Sequence, residues 1–305
     1  MHIIFFAVFL VILTASAPAT GKITVFVSIA PQKYFVQQIG KSLVDCQVMV
    51  PSGTTPHTYE PKPKQMVAIT KAKLYFAIGI EFEKARLKKI STANPKMIVV
   101  QTDEGIQKIQ MATHHKPEED DRHKKDAHQI EDKFRRDEEF HDHSGLDPHI
   151  WLSPPLVKSQ ARTILTAFQK FDPVHRSIYM DNYLALVSEI EDLDAKLRNI
   201  FTGQQGLQFM VFHPAWGYFA HTYGLQQIPV EIEGKNPKPA QLKNLIEHAK
   251  ENDIKVIFVQ PQFSARSAKL IAREIGGQVL FADPLAEDWA DNLRQVAKKF
   301  KAALK

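Results

Sequence analysis

A single cysteine, Cys46, is all the thiol chemistry in 305 residues. That excludes an intrachain disulfide framework, a cysteine-based zinc finger and a CxxC redox site, and it leaves any metal site to His, Asp and Glu. Beyond an N-terminal leader, no segment approaches 18 uninterrupted apolar residues, so no membrane-spanning helix is expected. Lys and Arg outnumber Asp and Glu by 39 to 34, a net +5, but they form no run interleaved with aromatics. The surplus reads as a basic solvated surface and not as a nucleic-acid groove. Also absent are HExxH, a glycine-rich phosphate loop and a G-x-S-x-G nucleophile elbow.

What is present is the balance of an ordinary globular chain, 44% hydrophobic and 24% charged, long enough for one large domain or two. Residues 3–13 (IIFFAVFLVIL) are an unbroken apolar run, too short for the roughly 20 residues a spanning helix needs. Ala17-Pro18-Ala19 follows with the small-x-small pattern of a signal-peptidase site, although only His2 precedes the run. Residues 1–19 are therefore expected to be a cleavable signal peptide. With no cysteine after the run, the exported chain is not expected to be lipid-anchored.

From residue 23 onwards, short β-branched runs alternate with amphipathic stretches. Strands are predicted over 23–28, 45–50, 74–78 and 97–100, and helices over 31–39, 63–73 and 81–90. Such βαβα alternation predicts a mostly parallel sheet with helices on its faces. A helix over 154–171 and a long one from Asp172-Pro173 to about Phe201 come next. The long helix would be roughly 43 Å at about 1.5 Å per residue. A second series then places strands at 209–212, 228–232, 254–259 and 279–282. Helices are predicted at 215–223, 239–251, 264–275 and 284–303. The expected fold class is α/β: two lobes, each a mostly parallel sheet flanked by helices, joined by one long rigid helix. The lobes are placed at 20–172 and 202–305, with the linker helix at 173–201.

One stretch breaks the rhythm. Residues 114–143 hold 11 acidic and 7 basic residues and 6 histidines, a net of −4 that leaves the rest of the chain at +9. So little apolar surface cannot offset the entropy of ordering, and this segment is expected to be a mobile loop.

Four potential ligands fall just past predicted strands or where order resumes, each beside proline: His57, His149, His213 and Asp283. Proline fixes φ and lowers the cost of pre-organising a site. Three neutral imidazoles and a carboxylate suit a tetrahedral first-row divalent ion, and imidazole favours zinc over the oxygen-preferring magnesium, calcium and manganese. Singly each is weak, because a histidine beside proline is more often a cap, and Asp283 could simply cap the last helix. The joint pattern is the signal.

Residues 56–61 (PHTYEP), 147–154 (DPHIWLSP), 212–219 (FHPAWGYF), 259–266 (VQPQFSAR) and 282–289 (ADPLAEDW) together resemble the zinc-binding solute receptors of bacterial ABC importers. The resemblance runs over about residues 22–304. It implies a periplasmic, monomeric receptor that binds Zn²⁺ between two lobes through His57, His149 and His213 and delivers it to an importer's membrane permease. Manganese-binding relatives carry a carboxylate where this chain has His213. Some zinc members place an acidic residue just before the first histidine, where this chain has Pro56. The fourth position therefore stays open between Asp283, a water and Glu60, for which a supporting role behind His57 is the better expectation. The resemblance also extends to the His-rich acidic insertion, where His114, His115, His123, His128, His141 and His143 would capture zinc weakly and raise its local concentration.

Two other classes compete with a receptor. A zinc-dependent envelope hydrolase would need a general base beside the metal-bound water, and a surface adhesin would need a means of display. Without a catalytic motif the chain is expected not to be an enzyme, and the missing anchoring cysteine speaks against surface display.

Overall fold

The computed structural model describes residues 21–112, 145–232 and 234–303. Both the leader and the His-rich segment lie outside the described residues. Two four-stranded sheets carry the fold, and every strand pair in them is parallel.

In the first lobe the strands are β1 (Ile23–Ile29), β2 (Val44–Val50), β3 (Leu74–Ala77) and β4 (Ile98–Gln101), in the order β2-β1-β3-β4. Helices α1 (Ala30–Gly40), α2 (Pro63–Ile69) and α3 (Glu81–Ala93) connect them. Helix α4 (Pro154–Phe171) then leads through a short turn into α5 (Arg176–Ile200). The second lobe repeats the plan with β5 (Gln208–Val211), β6 (Gln226–Pro229), β7 (Val256–Val259) and β8 (Gln278–Phe281), ordered β6-β5-β7-β8. Its helices are α6 (Gly217–Tyr223), α7 (Pro239–Glu251), α8 (Arg266–Glu274) and α9 (Trp289–Ala303). In each sheet the order reverses beside the first strand, and ligands of such sheets bind beyond the carboxyl ends at that switch point.

Several boundaries differ from the sequence-based expectation, and three of the differences have a clear local reason. Helix α2 stops at Ile69 because the backbone of Lys73 enters the sheet, its N–H bonding Thr24 O at 2.9 Å. The long helix starts three residues late, since Pro173–His175 form a 3₁₀ turn, and its 25 residues span about 37 Å. Helix α9 begins at Trp289, not at 284, because Asp283 spends its Oδ1 on the Leu285 N–H and folds a turn ahead of the helix.

Alternation along the strands decides where the core sits. In the second sheet Phe209, Val211 and Phe258 face the same way and join a core that also holds Phe35, Phe76, Phe168 and Leu193 of the first lobe and linker. Met210, Phe212, Ile257 and Val259 point to the opposite face and pack against Ala268 and Ile271 of α8. One apolar core thus runs through both lobes. Helix α9 stitches it: Trp289 packs edge-on against Phe35 of the first lobe with centroids 5.1 Å apart, and Phe300 lies 4.0 Å from Phe258 of the second. Two indoles add a polar clasp. Trp151 Nε1 donates to Pro284 O at 2.7 Å, and Trp289 Nε1 donates to Trp151 O at 2.6 Å. Among the described residues no helix is long and apolar enough to cross a membrane.

Candidate metal site

His213 lies two residues beyond β5, at the switch point of the second sheet. Its backbone is clamped by one side chain: its N–H donates to Gln260 Oε1 at 3.2 Å, and its carbonyl accepts from Gln260 Nε2 at 2.5 Å. The ring stacks on Phe263 at 5.0 Å, and the side chain is buried. His149 sits at the end of the first lobe, where Asp147 Oδ1 takes both its backbone N–H (2.8 Å) and its Nδ1 (2.7 Å). Asp147 itself is fully buried, with its carbonyl accepting from Tyr218 Oη at 3.0 Å. His57 rides on the irregular loop between β2 and α2. That loop is moored at its base by Tyr59 Oη donating to Gln65 Oε1 (2.6 Å) and Gln65 Nε2 donating to Met49 O (2.6 Å).

The three rings meet. His213 lies between the other two, with centroids 5.3 Å from both His57 and His149. Two imidazoles on one tetrahedral ion, with metal–nitrogen bonds of about 2.0–2.1 Å, should place their centroids about 5.2 Å apart. The pairwise spacing is therefore that of rings sharing an ion. Even so, among the described residues no group of three or more His, Cys, Asp or Glu is placed so that it could hold a metal ion as it stands. An open cluster centred on His213 is the arrangement at hand.

Each ring also has a carboxylate behind it. Nδ1 of His57, His149 and His213 lies 2.7 Å from Glu81 Oε2, Asp147 Oδ1 and Glu231 Oε1 respectively. A carboxylate on Nδ1 fixes the tautomer, turns the Nε2 lone pair outward and raises its basicity. For His213 the consequence is visible, because its Nε2 is buried and has no hydrogen-bond partner. Leaving such an atom unsatisfied costs about 1–3 kcal/mol. Burial lowers the pKa of His213 more than Glu231 raises it, so the ring is neutral near pH 7 and ready to donate to a cation. All three rings line a cavity of about 80 Å³, enough for an ion and a few waters.

The structure brings His57, His149 and His213 together. Neither of the two carboxylates singled out beside them lines the cavity. Glu60 is exposed and paired with Arg86, and the carboxylate behind His57 is Glu81. Asp283 Oδ1 accepts from Gln262 Nε2 and from Leu285 N–H, both at 2.9 Å, and the residues that line the cavity are its neighbours Pro284 and Leu285. His114, His115, His123, His128, His141 and His143 lie outside the described residues. Sequence reasoning missed Glu81, Glu231 and Gln260. It quoted Asp147 in a motif without giving it a role, although a carboxylate two residues before a ligand histidine is within reach of the ring.

Gly217 packs close against Asp147. A Cβ on Gly217 would come within 2.5 Å of Asp147 Oδ2, a buried oxygen without a partner. Gly217→Ala should therefore displace Asp147, tilt His149 and weaken metal binding about tenfold, the lower range for disturbing a partner behind a ligand. Competition with a chromophoric chelator reads this directly, and unchanged affinity would show that Asp147 has room to move.

Comparison with known proteins places this geometry in a family. Residues 25–303 match the family model described as ZnuA, the periplasmic component A of a zinc-uptake complex. The chain belongs to this family. It is accordingly a periplasmic component of a zinc-uptake system. A Bacillus subtilis (strain 168) relative named high-affinity zinc uptake system protein ZnuA is 30% identical over 268 residues, 86% of this chain and 79% of its own. A crystal structure of ZnuA superposes with a TM-score of 0.81 at 40% identity, covering 93% of this chain and all of that one. A ZnuA deletion mutant with zinc bound superposes with a TM-score of 0.80, also at 40% identity, covering 93% of this chain and 98% of that one.

Proposed function

We propose that this chain binds one Zn²⁺ through Nε2 of His57, His149 and His213 and delivers it to the membrane permease of an ABC-type importer. The observation that carries this reading is the buried, unpartnered Nε2 of His213, flanked by two further imidazoles at the spacing of a shared tetrahedral ion. We assign the fourth position to water, because Glu60 is exposed and paired with Arg86 and Asp283 does not line the cavity. A cage completed by water, with one ligand on an irregular loop, suits a receptor that must give its ion up.

Receptor is preferred to hydrolase for a specific reason. A hydrolytic zinc needs a free base beside its water, and the carboxylates nearest the rings, Glu81, Asp147 and Glu231, each already hold an Nδ1. The chain acts as a monomer, exported by cleavage of residues 1–19 without a lipid anchor. Its lobes divide at 20–172 and 202–305 around the linker 173–201, and the histidines of 114–143 serve as weak collectors.

The test is a calorimetric zinc titration of the mature chain lacking residues 114–143. One tight equivalent is expected, weakened more than about 100-fold by His149→Ala and less than about threefold by Asp283→Ala or Glu60→Ala. Tight binding that survives His57→Ala, His149→Ala and His213→Ala together would place the ion elsewhere and overturn the proposal.

A further inference from the structure

Five buried side chains among the described residues are carboxylic acids or imidazoles: Glu83, Asp147, His149, His213 and Glu231. Four of them form two of the three imidazole–carboxylate pairs of the metal site. Glu83 touches neither ring, and yet its carboxylate is taken up in full. Ser28 Oγ donates to Oε1 at 2.5 Å and accepts from Tyr75 Oη at 2.7 Å, while the backbone N–H groups of Ile78 (2.9 Å, to Oε1) and Gly79 (2.7 Å, to Oε2) complete the set. Desolvation raises the pKa of Glu83, partly offset by these donors, so a buried acid is retained here at an energetic cost.

What Glu83 grips is the turn from β3 into α3. Ile78 and Gly79 form that turn at the carboxyl end of β3, and Gly79 has φ of +79°, a backbone state that side chains disfavour. From the other side the Asp103–Lys108 ion pair presses on it, so that a Cβ on Gly79 would lie 2.5 Å from Lys108 Nζ. The turn ends at Glu81, whose Oε2 lies 2.7 Å from His57 Nδ1. Gly79, Ile80 and Glu81 also line the metal cavity.

We infer that Glu83 is a positioning residue for metal binding: by holding the Ile78–Gly79 turn from beneath, it sets Glu81 and, through Glu81, the His57 imidazole. This rests on the reading of His57 as a ligand. His57 gains most from such support because it rides on an irregular loop that is moored at its base. His149 and His213 are held independently, by Asp147 and by Gln260 with Glu231. The effect of Glu83 should therefore pass through His57 alone.

A double-mutant cycle tests this, with zinc affinity read by chelator competition on the full chain. Glu83→Gln replaces one acceptor with a donor facing the backbone N–H groups and is expected to weaken zinc binding about 5- to 10-fold in the wild-type and His149→Ala backgrounds. In the His57→Ala background the same change should cost less than about twofold. An equal loss in all three backgrounds would mark Glu83 as merely structural and overturn the inference while leaving the three-imidazole site intact. A His57→Ala chain that binds zinc as tightly as wild type would overturn both. Should Glu83→Gln fail to fold in thermal unfolding, Ser28→Ala decides, with a two- to fivefold loss expected and the same dependence on background.

Discussion

His213→Ala is expected to lower zinc affinity by about 100- to 1,000-fold. Structural zinc sites bind with roughly 10–16 kcal/mol shared among four ligands, so one imidazole is worth about 2.5–4 kcal/mol, and each 1.4 kcal/mol is a decade. His213 should lie at the upper end because the geometry converges on it. It alone contacts both other rings, its backbone is clamped twice by Gln260, and its Nε2 has no competing partner. The same burial predicts a pH signature in zinc-free protein. Folding depresses the pKa of His213, so below about pH 6.5 the unfolded chain takes up a proton that the folded chain refuses. Stability should therefore fall as the pH drops through that window, by at most about 1.4 kcal/mol per pH unit from this group. Urea unfolding in the presence of a chelator should show a flatter pH dependence between 6.5 and 5 for His213→Ala than for wild type. A steeper one would mean that Glu231 keeps the ring charged.

How much of this was legible beforehand depends on whether a feature is local. The eight strands follow from short apolar runs, and their parallel pairing follows from the helices between them, so the two sheets are where the periodicity put them. The meeting of His57, His149 and His213 was legible because a histidine beside proline, just past a strand or where order resumes, leaves a trace in a few adjacent residues. The carboxylates behind two of them leave none. Glu81 stands 24 residues from His57 and Glu231 stands 18 from His213, and only the fold brings each pair to 2.7 Å. Asp283 shows the opposite limit of a local pattern. Its local pattern suited a ligand or a cap on the last helix, while the partners that occupy Oδ1 are Gln262, 21 residues away, and the Leu285 N–H. Nor could periodicity reveal that one face of the second sheet is continuous with the core of the first lobe. An amphipathic stripe says that a helix is buried without saying against what.

That shared core carries the other large prediction. If the linker helix alone joined the lobes, each would unfold on its own, and a change at their junction would cost little. Trp289 instead sits at the start of α9, buried between Tyr34 and Phe35 of the first lobe, with its Nε1 bonded to Trp151 O. Trp289→Ala should cost about 3–5 kcal/mol, a large share of the roughly 5–15 kcal/mol typical of a folded domain. In a zinc-free thermal scan this should appear as one cooperative transition lowered by roughly 6–15 °C. Two transitions, of which the substitution moves one, would mean that the lobes are separately stable and that the clasp is incidental. The distinction bears on release. Trp151, the acceptor of that indole bond, lies two residues from His149 with the rings 5.1 Å apart, and its own Nε1 holds Pro284 O of the second lobe. Pulling the lobes apart would break this clasp and expose apolar core. Moving the loop that carries His57 would break far less, so the ion is expected to leave by the loosening of that loop while the two-lobed body stays closed.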